Sequence, residues 1–126
     1  MPTSRPVFLD LRRIKLPLPG LVSILHRVSG VLMVLAIPFI AWLFERALSG
    51  PEGFAAATAF LESWLVRLAL LVLIWSLLHH LLAGIRHLAL DIGLGLERPV
   101  ARLTARITLI AAVALLIPTI LLRVLL

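Results

Sequence analysis

Residues 64–90, WLVRLALLVLIWSLLHHLLAGIRHLAL, form one long apolar run broken by charge only at Arg67 and Arg86, close to its two ends. A helix of about 20 such residues crosses the roughly 30 Å hydrocarbon core of a bilayer, so this stretch reads as a membrane span. Runs of the same kind lie near residues 21–48 and 103–126. Charge, Pro or Gly bounds each of them. The expected fold is all-α: an integral membrane domain over residues 21–126 with three transmembrane helices. Residues 1–20 precede it as an N-terminal arm, in which Pro2, Pro6, Pro17 and Pro19 discourage a long helix.

Composition agrees with that class. The chain is 62% hydrophobic and 14% charged, with a mean hydropathy of +1.14, which a soluble domain of 126 residues would not carry. No room remains for a soluble catalytic core. Cysteine is absent, which excludes disulfides, iron–sulfur ligation by this chain and thiol chemistry. The first apolar run is too long for a signal-peptide core and lacks a small-residue cleavage site, so it is expected to stay as an anchor. Asp10 and the prolines make the arm unlike an organelle transit sequence, and a bacterial inner membrane is the simplest home.

The net charge of +6 and pI of 11.8 raise the question of nucleic acid. Its distribution answers it. Arg5, Arg12, Arg13 and Lys15 precede the first span, and Arg98, Arg102 and Arg106 lie about the junction of the second and third. Between the first two spans Arg46 and Arg67 are set against Glu45, Glu52 and Glu62. Lys and Arg gather on the cytoplasmic side of membrane proteins, which puts the N-terminus in the cytoplasm and the C-terminus in the periplasm. A nucleic-acid face needs clustered cations interleaved with stacking aromatics, and this pattern has neither.

Local signals add detail. Pro38 predicts a kink in the first span. Residues 49–53, SGPEG, predict a turn, and Phe54–Ser63 a short interfacial helix. Residues 91–95, DIGLG, end the second span with glycine available for a left-handed cap. The third contains Pro118, and Arg123 near its end is placed to snorkel to the outer interface.

Ionisable groups inside a span are costly and mark sites or charge pathways. On a helix, His80, Gly84, His87 and Asp91 fall in one narrow stripe. The stripe supplies an imidazole, a gap, a second imidazole and a carboxylate. Haem needs a nitrogen ligand, room beside the helix and polar groups near its propionates. Hydrogen-bond glue between helices is the other reading of His80. His79 points about 100° away from this face.

A second cluster, residues 23–30 (SILHRVSG), places Ser23, His26, Arg27 and Gly30 on one face of the first span. Such a pocket suits the carbonyl oxygens of a quinone, or haem propionates; interfacial snorkelling of Arg27 is the plain alternative. In antiparallel spans, His26 lies about six residues from the inner end and His80 about ten, so at about 1.5 Å per residue their depths differ by roughly 6 Å. The two clusters are close enough to share one bound group.

These residues are similar to those of a known family. Nearly the whole chain resembles the cytochrome b556 subunits, the larger membrane anchors of bacterial succinate dehydrogenase (respiratory Complex II). The resemblance is carried by RPVFLDL at 5–11, SILHRVSG at 23–30, SGPEGF at 49–54, and His80 followed by Gly84-Ile85-Arg86-His87 and Asp91. It implies three helices within a heteromeric bundle, with no succinate or flavin site on this chain. His80 would be an axial ligand of haem b, and the smaller anchor subunit would give the second. His26, Arg27 and His87 would lie near the propionates, and Ser23 and Arg27 would help bind ubiquinone. Gly84 and Asp91 would play supporting parts. The implied partners are the smaller anchor, the iron–sulfur subunit, the flavoprotein reached through it, and the bilayer. The implied task is electron transfer from succinate oxidation, a tricarboxylic acid cycle step, to quinone. Two other classes are open: a small proton-coupled transporter and a purely structural anchor without haem. Against transport, Glu45, Glu52, Glu62, Asp91 and Glu97 all sit at span ends or in loops.

Overall fold

The computed structural model describes residues 15–125, with side chains to Leu122. Most of the N-terminal arm, with Arg5, Arg12 and Arg13, and the side chain of Arg123 lie outside the described residues. Five helices follow in order: α1 Leu18–Leu48, α2 Pro51–Glu62, α3 Trp64–Asp91, α4 Arg98–Ala114 and α5 Leu116–Leu125. Among the described residues there is no strand.

Proline sets several boundaries. α1 starts at Leu18, earlier than the expected Leu21, because Pro19 stands in its first turn, where an absent N–H costs no hydrogen bond. For the same reason α4 starts at Arg98, with Pro99 next, instead of at Leu103, and α2 starts at Pro51 instead of Phe54. α1 continues helically through Pro38. The third span is interrupted at Leu115, between α4 and α5. Pro118 explains the break: it has no N–H for the Ala114 carbonyl and its ring crowds that oxygen.

Caps close the remaining ends. Ser63 Oγ accepts the Val66 N–H at 3.4 Å at the start of α3. At its end Leu94 N–H reaches Ala89 O at 2.9 Å and Gly93 N–H reaches Leu90 O at 3.0 Å. Gly93, at φ +85°, takes the left-handed position that this paired cap requires. α2 lies against the end of α1, where Phe60 meets Phe39 at 5.6 Å and Trp42 at 6.0 Å. A Cβ at Gly53 would run into Ser49 Oγ and the Arg46 carbonyl, so only glycine permits that approach.

Three segments, Leu18–Leu48, Trp64–Asp91 and Arg98–Leu122, are long and apolar enough to cross a membrane. Their packing inverts that of a soluble domain. Val34, Leu35, Ile85, Leu88 and Ile110 are exposed, whereas Ser29, Ser76, His79, Arg86 and Thr108 are buried. Small residues at the contacts, with Val22, Ala83 and Ala105 at the centre, let the helices approach closely, as lipid-embedded bundles require. The chain is an all-α membrane protein.

Arg86 ties α3 to α4. Its Nε donates to Thr104 Oγ1 and its Nη2 to Ala101 O, both at 3.1 Å. Arg86→Met keeps the apolar stem but removes both donors, and should cost about 2 kcal/mol, the usual worth of hydrogen bonds from a charged group. A thermal melt of the purified, assembled protein reads this as a lowered midpoint. An unchanged midpoint would mean that these bonds give no net stability.

Candidate functional site

α1 and α3 each carry a histidine four residues before a glycine: His26 and Gly30, His80 and Gly84. The helices run antiparallel, since His26 meets Gly84 and His87 while Gly30 meets His80. Each histidine therefore lies over the other helix's glycine. A Cβ at Gly30 would stand 3.1 Å from His80 Cε1, and one at Gly84 would stand 3.4 Å from His26 Nε2. The two imidazoles stack with centroids 4.0 Å apart and planes 15° from parallel. His87 tilts against His26 at 5.0 Å, and its Nδ1 is buried without a hydrogen-bond partner.

The hydrogen bonds at His80 fix its proton. Nδ1 lies 3.0 Å from the His26 carbonyl, which can only accept, so Nδ1 carries the hydrogen. The Ser29 hydroxyl donates to that same carbonyl at 2.8 Å, leaving its lone pairs for Nδ1–H at 3.2 Å. A neutral imidazole protonated on Nδ1 keeps its lone pair on Nε2. Histidines that bind metals are commonly held in this way, with the far N–H on a backbone carbonyl. Among the described residues no three acidic, Cys or His side chains gather as a self-contained metal site. What the cluster offers is a single oriented nitrogen ligand.

His79 differs in every respect. It has no exposed surface and stacks on Trp75 at 5.1 Å. Ser76, one turn earlier, is equally buried and its Oγ has no partner. This pair faces the bundle interior, away from the imidazole cluster.

The structure brings His26, His80, Gly84 and His87 together. Ser23, one turn before His26, is half-buried on α1, whereas Arg27 and Asp91 are exposed. The gap at Gly84 is taken up by His26, so its immediate effect is to admit that ring. Sequence reasoning grouped Gly30 with the pocket on α1 but did not connect it to His80, and it gave Ser29 no role. The signal was present as a repeated His-x3-Gly spacing, but its meaning depends on the antiparallel register.

Three long apolar helices with an exposed apolar exterior and buried polar contacts define an integral membrane helical bundle. Residues 1–119 match the family model described as succinate dehydrogenase/fumarate reductase transmembrane subunit. The succinate dehydrogenase cytochrome b556 subunit of Paracoccus denitrificans is 36% identical over 116 residues, covering 92% of this chain and 89% of that protein. That of Coxiella burnetii is 37% identical over 107 residues, covering 83% and 85%. The mitochondrial succinate dehydrogenase cytochrome b560 subunit of Mus musculus is 32% identical over 116 residues, covering 88% and 67%. The chain belongs to the succinate dehydrogenase/fumarate reductase transmembrane subunit family. It is a membrane-anchoring subunit of an oxidoreductase complex and lies outside the catalytic core.

Proposed function

We propose that this chain is the haem b and quinone-binding anchor of a succinate:ubiquinone oxidoreductase in a bacterial inner membrane. The carrying observation is His80, whose Nδ1–H is held by the His26 carbonyl so that Nε2 keeps its lone pair. The cytochrome b556 relatives support haem as the group that takes it. Haem b would supply reversible one-electron chemistry when held between His80 of this chain and the smaller anchor subunit.

Within this reading His80 would hold the iron, while His26, Arg27 and His87 would meet the propionates. The buried, unpartnered Nδ1 of His87 fits a donor or acceptor awaiting such a partner. Ser23 and Arg27 donate hydrogen bonds to ubiquinone at the cytoplasmic edge, where the iron–sulfur subunit docks and passes on electrons from the flavoprotein. Asp91 closes the same stripe at the end of α3. The positive-inside distribution supports a cytoplasmic N-terminus and a periplasmic C-terminus.

The direct test is a reduced-minus-oxidised absorption spectrum of the purified complex. A low-spin b-type band is expected, and its absence would leave a structural anchor without haem. Gly84 gives a finer test. Gly84→Leu improves helix propensity, yet its side chain would enter the space of the His26 ring and disturb the stack on His80. Haem per complex is expected to fall several-fold; an undiminished ratio would show that the seam tolerates the bulk.

A further inference from the structure

We propose that Ser29 and Gly30, consecutive residues of α1, are positioning residues that clamp the His80 imidazole and set its donor strength. The proposal rests on His80 being a haem ligand and adds to it a device on the opposite helix. Ser29 is completely buried and its hydroxyl donates to the His26 carbonyl at 2.8 Å. Its lone pairs therefore face His80 Nδ1 at 3.2 Å, beside the carbonyl oxygen at 3.0 Å. Two oxygens thus receive one N–H. Rotating the ring by half a turn would put a C–H against both and leave Nδ1 unsatisfied, so this orientation is strongly preferred.

Gly30 sets the distance. Its absent side chain lets the ring edge lie against α1, where a Cβ would stand 3.1 Å from Cε1 and 3.5 Å from Nδ1. A methyl there would push the ring outward by a few tenths of an ångström, away from both acceptors. Hydrogen bonding at the far nitrogen raises the basicity of a ligating imidazole and favours the more oxidised metal. The clamp thus acts on both ring orientation and reduction potential. The serine and glycine stand next to each other because one must accept from the ring while the other leaves it room.

The test uses the assembled, membrane-extracted complex with Ser29→Ala, Gly30→Ala and, as a control on the same helix, Val28→Ala, whose side chain is exposed. Redox titration of the haem and low-temperature EPR of its ferric form are the readouts. Gly30→Ala is expected to raise the midpoint potential, because the ring loses electron density as its N–H leaves the acceptors. Ser29→Ala is expected to shift or broaden the low-field ferric signal, which depends on imidazole orientation. Val28→Ala should leave both unchanged. A variant that assembles but loses its haem supports the same clamp, provided that Val28→Ala retains it. Parent-like potentials and signals in both Ser29→Ala and Gly30→Ala would overturn the clamp while leaving His80 as ligand. Absence of haem from the unsubstituted complex would instead overturn the underlying reading.

Discussion

Purified complex carrying His80→Ala is expected to lose its low-spin b-type absorption band, whereas His79→Leu is expected to keep it. The two histidines are neighbours in sequence but not in environment. His80 is half-buried at the α1–α3 seam, with Nδ1 held by a carbonyl, which leaves the lone pair on Nε2. His79 has no exposed surface and is stacked on Trp75 at 5.1 Å inside the bundle. For His79 to reach a macrocycle, the α3 core contacts would have to open. Loss of outer-shell partners alone typically costs 10–100-fold in metal affinity, so loss of the ligand should reduce haem per complex to below about a tenth. Leucine at position 79 replaces a fully buried ring with an apolar side chain, so the variant is expected to assemble. Haem content by pyridine haemochrome, measured beside subunit stoichiometry, decides the matter. A band lost with His79→Leu and retained with His80→Ala would transfer the ligand to the other residue.

The three spans were legible because apolar length suffices to identify them, and His80 was preferred over His79 because it shares a helix face with Gly84 and His87. That choice used only one helix. The seam itself needs two. Nothing in the spacing along α3 says that His26 fills the gap at Gly84, or that Gly30 does the same for His80, because the antiparallel register is a tertiary fact. Ser29 illustrates the limit most sharply. In sequence it is one more hydroxyl in a polar stretch, and its contact with His80 crosses 51 positions of chain. The arginines make the same point in reverse. Arg27 and Arg86 both lie inside polar motifs, yet Arg27 is exposed and Arg86 is buried against Thr104 and Ala101 of α4. Helical rotation relative to a third helix separates them, and a single stripe cannot supply it. Three helices start earlier than the apolar runs suggest because proline is tolerated in a first turn.

Arg27→Leu is expected to slow succinate-driven quinone reduction by roughly ten- to hundredfold, the kinetic equivalent of losing a charge-assisted hydrogen bond of about 1.5–3 kcal/mol. Ser23→Ala, which removes a neutral hydroxyl worth about 1 kcal/mol, should slow it about fivefold. Both residues stand one turn apart on α1, with His26 between them in sequence and stacked on His80 at 4.0 Å. Arg27 is exposed, so its guanidinium is available to a ligand at the edge of the bundle, while half-buried Ser23 offers a shorter reach on the same face. The effect should be confined to the quinone step. Reduction of a soluble artificial acceptor draws electrons from the flavin and iron–sulfur partners, and it should proceed at the parent rate in both variants. The comparison must be made on assembled, membrane-bound complex, because a detached catalytic pair would also fail to reduce quinone. Equal losses in the two assays would place the defect in assembly. Normal quinone reduction in both variants would mean that quinone binds elsewhere, and would leave Arg27 as an interfacial charge of the first span.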